Sequence, residues 1–556
     1  MPLKPLSLTL SLITEQHITP NIYTFMRKIL LQLFCIACTL NLMAQKGKDS
    51  DKDPYFNQTT LQVTKAGTLE QAFAEANPDK HQGLRVIGPL NDADMRFIAK
   101  LAQPSLLDDL HSINLQEAQL ERIPAHWLQG FTYVTHVYFP TTLKDVGAYA
   151  FAYTNSLCKA DLPEGLKSIG QCAFVGTNIR RVNLPASVEK IGEGAFAHLK
   201  SLTEVSVPAA NNNFDLVDSL LIRNADNTLL QCFKKGTGEV QVPEVVQRVG
   251  SLAFGGAKYI SAITLPKAVT FVGEDAFAST YALESINVAE GNAQFVSTNG
   301  VLFDKGATLL ICYPTSKRGN KYTVPATVKE LATGAFQECG GGNAYKLIND
   351  EAERKRARLN EVVLPEGLTK IGKWAFTFTG CQVNIPSTVR EIGDSCFYFC
   401  EIEEATIPEG VQRIGDGMFA ACYRLATITL PSTTTYIGAK VMAYNSLETT
   451  LNVYALNPPA CHQDAFADFS SSINLHVVKG QKKAYEKSAD WTSFIFNGVE
   501  DDLKAVVTGI SAPAVPAADA VETVCYNLQG VRIYAPQRGV NIILMSDGTT
   551  KKVVVK

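Results

Sequence analysis

The sequence predicts a β-rich solenoid, parallel strands wound in coils of 22–23 residues, and three observations carry that reading. Ten prolines, at 140, 163, 185, 243, 266, 325, 365, 386, 408 and 431, each have a large apolar residue eleven positions later, nine times Phe and once Met442. Seven positions after each proline stands Gly, with Ala332 the single departure, and the residue before it is always Val, Ile or Leu. Apolar residues recur one and three positions before the proline, as in Val182 and Leu184 or Ile428 and Leu430, which is the period-two alternation of a strand. A unit this short cannot bury its own apolar face, so it must lean on near-identical neighbours. Roughly a dozen coils at strand spacing make an array on the order of 60 Å long.

The elements follow in chain order. Met26-Arg27-Lys28 precedes the apolar run Ile29 to Leu40, and Leu42-Met43-Ala44 precedes Gln45, so residues 26–44 read as a secretory signal peptide with residue 45 first in the mature chain. Residues 1–25 have no basic start of their own and are expected to be a non-native upstream extension; a lipoprotein signal through Cys38 is the alternative. Residues 131–470 hold the repeats. In each, the strand before proline adds to a parallel sheet, and proline ends it because it has no N–H to donate. The glycine at the second corner is expected to permit a backbone conformation that a side chain would obstruct, and Ala-Phe fills the interior. Phe196 to Phe254 and Phe277 to Phe336 are separated by 58 and 59 residues, and both gaps hold a matching insert, Phe214 to Leu221 and Phe295 to Leu302. Each insert leads to an apolar pair and a Cys, Leu229-Leu230-Gln231-Cys232 and Leu309-Leu310-Ile311-Cys312, and reads as a hairpin-bearing coil. A third irregularity, Gly340 to Leu359, carries a charged run from Asp350 to Arg358 and reads as a solvated helical loop or a contact loop.

The motif Pro-x-x-Val-x-x-Ile-Gly-x-x-Ala-Phe closely resembles the BspA-type leucine-rich repeats of surface and secreted proteins of Bacteroidetes and treponemes, over roughly residues 110 to 470. The resemblance extends to both ends. Ala66-Gly67-Thr68-Leu69, Leu84 to Gly88 and a helix opening at Asn91-Asp92-Ala93-Asp94-Met95 look like that family's opening module, an α/β N-terminal cap over 45–130. Ala484 to Trp491 with Phe494 looks like its closing helix, a C-terminal cap over 471–500 that covers the last coil's edge. After a linker at 501–520, residues 521–556 look like the terminal strands of a type IX secretion sorting domain. The fold class expected is therefore a β-rich leucine-rich-repeat solenoid with a small α/β N-terminal cap, a helical C-cap and a short C-terminal β domain. The family's members act mostly as adhesins or host-protein binders, and the resemblance implies a secreted or cell-surface protein of that kind.

If the strands alternate, the positions two and four before each proline face outward along the array. The expected partner-binding face comprises His136, Tyr138, Lys159, Asp161, Arg181, Asn183, Glu204, Ser206, Gln241, Thr264, Thr323, Glu361, Gln382, Asn384, Glu404, Thr406, Thr427 and Thr429. With one aromatic in that set, it suits an extended polar contact with a protein better than a sugar pocket. A second row, two positions after the ladder Phe or Met, holds Tyr153, Phe378, Phe399 and Tyr444; packing over the coil's edge is the favoured reading, an exposed binding stripe the other. Cys339, Cys400 and Cys422 share one position, three after Phe, which points to packing instead of reactivity.

Chemistry finds little purchase. Lys and Arg number 51 against 54 Asp and Glu, a formal charge of −3, which argues against nucleic acid as a partner. No pair of histidines has metal-ligand spacing, and there is no nucleophile elbow, phosphate loop or dinucleotide fingerprint, so no catalytic, metal or cofactor residue is assigned and no cofactor is expected. No apolar run beyond the leader reaches the ~20 residues of a membrane span. A protein of unknown identity is the expected partner, and a glycan is the alternative. Three functions stay open: a non-enzymatic adhesin or host-protein binder, a structural or self-associating surface protein, and an enzyme using the repeats as a scaffold.

Overall fold

The computed structural model describes residues 59–78, 82–103, 110–340, 359–445, 447–469, 472–492 and 498–505, and the strands Glu522–Asn527, Arg532–Ile533, Gly539–Met545 and Thr550–Val555. The leader, the loop between Gly340 and Leu359, most of the linker and Phe494 lie outside them. The chain is a parallel β-solenoid with two ladders. A regular coil contributes one strand ahead of its proline to the first ladder, such as Arg181–Asn183, and a two-residue strand ending just before the glycine to the second, such as Lys190–Ile191. Register is like on like: Val182 lies opposite Val205, Val362 opposite Val383 and Ala405 opposite Ile428. Each apolar side chain thus meets its own kind one coil away, and the small core repeats without frustration.

The recurrent phenylalanines stack inside. Phe151, Phe174 and Phe196 lie 5.1 and 5.9 Å apart within 6° of parallel, and Phe336, Phe376, Phe397 and Phe419 continue at 5.2, 5.6 and 5.7 Å. All seven are buried. The corner glycines do a different job from the one expected of them. Left-handed backbone occurs nine and thirteen residues after the proline, at non-glycine residues such as Tyr149, Leu252, Trp374, Phe378 and Tyr444, with φ between 54° and 65°. The glycine at seven is not left-handed. A Cβ at Gly147 would come within 2.5 Å of Ala125 N, and one at Gly372 within 2.5 Å of Ala332 C. Close approach of the preceding coil's backbone excludes the side chain there, and the conformation does not.

Both inserts fold as antiparallel three-stranded meanders, Phe214–Val217, Leu220–Arg223, Thr228–Cys232 and Phe295–Thr298, Val301–Asp304, Leu309–Cys312. The last strand of each pairs in parallel with the next coil and feeds the second ladder. Their middle strands are walls with side chains in two cores. Leu221 joins the core on the N-terminal side while Leu220 and Ile222 join the next one. In the second meander Leu302 belongs to the central core, and Val301 and Phe303 to the C-terminal core. Phe233 and Tyr313, each following a Cys, take up the interrupted stack at 6.2 Å from Phe196 and 5.2 Å from Phe336.

The ends are covered. Helices α1 (Leu69–Ala76) and α2 (Asp92–Leu101) are tied by the buried Asp94, whose carboxylate accepts from Gly67 N, Leu69 N and Asn91 N at 2.7–2.9 Å. Asn91 caps α2 in return. The first ladder runs upstream of residue 131 through Ser112–Asn114, Gly83–Pro89 and Thr59–Gln62, so this module shares the array's sheet. At the other end α3 (Lys482–Lys487) and α4 (Ala489–Thr492) bury Tyr485 and Trp491, which donate to Ala455 O and Pro459 O. The four C-terminal strands form a separate antiparallel sheet.

Candidate interaction surface

Alternation places most of the expected face as the period requires. Asp161, Arg181, Asn183, Glu204, Ser206, Gln241, Thr323, Glu361, Gln382, Asn384, Glu404 and Thr406 are exposed, and Tyr138, Lys159, Thr264, Thr427 and Thr429 are half-buried. His136 is a correction: it is only 6% exposed. Its ring stacks on Tyr138 at 6.2 Å, its Nδ1 lies 2.9 Å from Thr135 Oγ1, and Cys158 Sγ lies 3.9 Å from its Nε2. Neighbouring side chains close over it, so it belongs to the packing of the first coils.

Across the face, adjacent coils neutralise one another. Arg181 meets Glu204 at 3.4 Å, Lys321 meets Glu361 at 2.8 Å, and Ser206 Oγ donates to Asn183 Oδ1 at 2.8 Å. Such exposed pairs contribute about 1 kcal/mol or less each, so they pattern the surface more than they hold it. The two meanders divide the strip: Arg181–Asn183 pairs with Glu204–Ser206, Gly238–Gln241 begins a new sheet, and Lys321–Thr323 another.

The second row sits at the left-handed corner thirteen residues after the proline, which projects its side chains from the coil. Tyr153, Phe399 and Tyr444 are 53%, 41% and 52% exposed and Phe378 is half-buried, so the row lies over the coils' edges with part of each ring open to solvent. Phe378 and Phe399 lie 5.0 Å apart, and Tyr398 and Tyr423, which the period did not single out, complete an aromatic cluster at 5.7 and 5.3 Å. One residue further on, Cys339, Cys400 and Cys422 are buried, and each thiol donates to a carbonyl one coil back, Tyr313 O, Phe376 O and Phe397 O. Burial pushes the Cys400 thiol up to about 12 and the other two well above the ordinary thiol range. These thiols pack.

A cleft of about 630 Å³ beside the second meander had no counterpart in the sequence reading. At the first meander Glu193 reaches across the interruption, its carboxylate accepting from Ser251 N at 2.8 Å. The equivalent residues at the second are Glu274 and Thr333; no such bond joins them, and both line the cleft with Ala332. Asp275 also lines it, with Oδ1 buried and without a hydrogen bond. Burial, then the neighbouring Glu274, lifts its carboxyl to about 6. Close by, Glu338 accepts from Ser279 Oγ at 3.1 Å and Tyr281 OH at 3.3 Å, and burial raises it to about 7. The one departure from glycine, Ala332, stands at this place: it lines the cleft, with its N–H donated to Leu310 O at 2.9 Å. Among the described residues no three His, Cys, Asp or Glu are placed to hold a metal, and no helix is long and apolar enough to cross a membrane.

Comparison with known proteins agrees with the period. Solved structures similar to this chain include the pneumococcal vaccine antigen PcpA, 21% identical over 71% of this chain and 85% of that one with a TM-score of 0.39. A leucine rich cell surface protein from Faecalibacterium prausnitzii is 20% identical over 68% and 86%, with a TM-score of 0.34. A leucine-rich repeat protein from Bacteroides ovatus is 18% identical over 71% and 88%, with a TM-score of 0.26. No curated protein matches. The BspA type leucine rich repeat region matches in six copies, over residues 107–217, 230–303 and 346–472. More than half of the chain lies under that match, and its ladders, corners and aromatic stack recur at the same period; the chain belongs to the BspA-type leucine rich repeat family.

Proposed function

We propose that the protein is an exported, non-enzymatic scaffold at the bacterial cell surface or outside it, an adhesin or surface-protein binder that engages another protein through the outward face of the first ladder. The observation that carries this reading is the strip itself: short, mixed-charge side chains displayed at one register on successive coils, with Arg181, Asn183, Glu204, Ser206, Glu361, Gln382, Asn384 and Glu404 all open to solvent. A partner meeting such a strip makes many modest polar contacts, which suits specificity over a long footprint. The test is capture of a partner by the mature chain and by a variant carrying Lys159→Glu, Arg181→Glu and Glu204→Lys. Arg181 and Glu204 face each other, so reversing both keeps their attraction and alters only what a partner meets. Loss of the partner with an unchanged circular dichroism spectrum is the expected result; retained binding moves the site off this strip.

The exposed aromatic cluster of Phe378, Tyr398, Phe399 and Tyr423 supports a second reading, a structural protein that associates with its own kind. Concentration-dependent assembly in light scattering, lost in Phe399→Ser, is its signature, and a strictly monomeric chain rejects it.

A further inference from the structure

We propose that the cleft beside the second meander is a subsite for a basic side chain, a lysine or arginine carried on an extended segment of the protein partner. The inference deepens the scaffold reading and rests on it. Glu274, Asp275, Asp304, Glu330 and Glu391 line the opening against Lys370 and Lys373. Both lysines are engaged, Lys370 with Glu391 at 3.0 Å and Lys373 with Asp394 at 3.4 Å. Asp304 is spent on Thr308 and Leu309 N–H. Glu274, Asp275 and Glu330 have no ion pair among the described residues, and carboxylates outnumber lysines in the lining, so the cleft presents an excess of acidic groups.

The carboxylates are too dispersed to cage a metal ion. A long organic cation fits better. Phe295, Ile311 and Tyr313 give the cleft an apolar wall along which a methylene stem can lie, while its charged head meets Asp275. Asp275 Oδ1 is buried without a donor, a costly state that a ligand N–H relieves. The position is a left-handed corner, φ 52°, where the preceding coil has Leu252 and the following coil Gly334. A Cβ at Gly334 would run into Asp275 Oδ1, so a glycine opposite makes room for this carboxylate. At the rim Arg248 already lies 4.0 Å from the ring centre of Phe271, a contact of the same kind made by the chain itself.

The backbone identifies the source of the cation as a polypeptide. Among the described residues Phe271–Val272 pairs on one side only, with Arg248–Val249. Within unbroken runs of coils the ladder Phe donates its N–H to the next coil, as Phe254 does to Ala276 O and Phe336 to Ala375 O, both at 2.8 Å, whereas Phe196, ahead of the first meander, makes no such bond among the described residues. The meander breaks that sequence at Phe277, and among the described residues its N–H has no backbone acceptor. An extended segment laid into the cleft supplies acceptors to this edge while its basic side chain enters.

The experiment is calorimetric titration of the mature chain with three probes: an end-blocked octapeptide of Thr and Val with one central Lys, the same peptide with Ala there, and spermidine. The expected result is at least tenfold tighter binding of the Lys peptide than of the Ala peptide, with that preference lost in Asp275→Asn and reduced severalfold in the rim variant Glu330→Gln. Equal binding of the two peptides, or a preference unchanged in both variants, overturns the subsite. Spermidine binding as tightly as the Lys peptide overturns the polypeptide source. None of these outcomes touches the scaffold reading, which stands or falls on the charge reversals of the first-ladder face.

Discussion

Gly372→Ala separates two explanations of the recurrent corner glycine. If conformation were the reason, alanine would be tolerated, because the backbone there is not left-handed. If the preceding coil is the reason, the new Cβ meets Ala332 C at 2.5 Å and the two coils must part. A loss of about 1–3 kcal/mol in urea unfolding is expected. Gly250→Ala, where the nearest atom is Leu229 O at 3.0 Å, is expected to cost clearly less, and equal costs would refute the steric account. Glu338 gives a second test at this scale. Its carboxyl is raised to about 7 by burial, so folding favours the protonated form: the charged form costs stability fully above pH 7, and that cost disappears as pH falls toward the ordinary value near 4.5. The groups around it are Ser279, Tyr281, Asp275 and Lys258. Glu338→Gln keeps an acceptor for Ser279 and Tyr281 and cannot ionise. It is therefore expected to stabilise the chain by up to about 3 kcal/mol at pH 8 and by little at pH 5. His198, held at about 4 by burial, titrates in the opposite sense, so the readout is the difference between variant and parent across pH. A pH-independent difference would show that this carboxyl does not titrate in that window.

Among the elements, what was legible in the sequence is what repeats. The Phe stack, the two ladders and the outward alternation follow from one spacing, because each coil sees the same neighbour. What was hidden depends on an interruption of the array. Phe233 and Tyr313 stand outside the eleven-residue spacing, so their place in the stack is visible only once the meanders return the chain to the ladder. The burial of Asp275 and Glu338 depends on coils that meet across some sixty residues, and His136 is covered by side chains whose reach no period records. The corner glycine was legible as a requirement and misread as to cause, since a recurrent Gly marks either a left-handed turn or a close approach. The C-terminal sheet is the element most separable from the rest: among the described residues its four strands pair only with one another. Deleting residues 521–556 is expected to leave the thermal unfolding of the array unchanged and, if the segment is the sorting signal it resembles, to abolish surface display in the producing cell. Normal display of the truncated chain would remove that role.

On the scale of the whole molecule, the meanders convert a continuous solenoid into three cores in series. In an unbroken array, stability is a sum of coil terms and coil-to-coil interfaces, and a defect anywhere weakens the whole stretch coupled to it. Here the coupling is interrupted twice. Phe254 and Phe277 stack 5.5 Å apart in a central core of their own, while the stacks on either side end at Phe233 and begin again at Tyr313. The central core is also the smallest of the three, so it has the least apolar burial to set against its conformational entropy. Phe254→Ala removes a fully buried ring there, at a cost of about 3–5 kcal/mol. Hydrogen exchange followed by mass spectrometry in low urea should then show protection lost from 228–302 while 366–430 keeps the parent's rates, because the second meander stands between them. A uniform loss of protection from end to end would mean that the walls transmit stability as well as the coils do, and that the chain unfolds as one unit despite its divided interior.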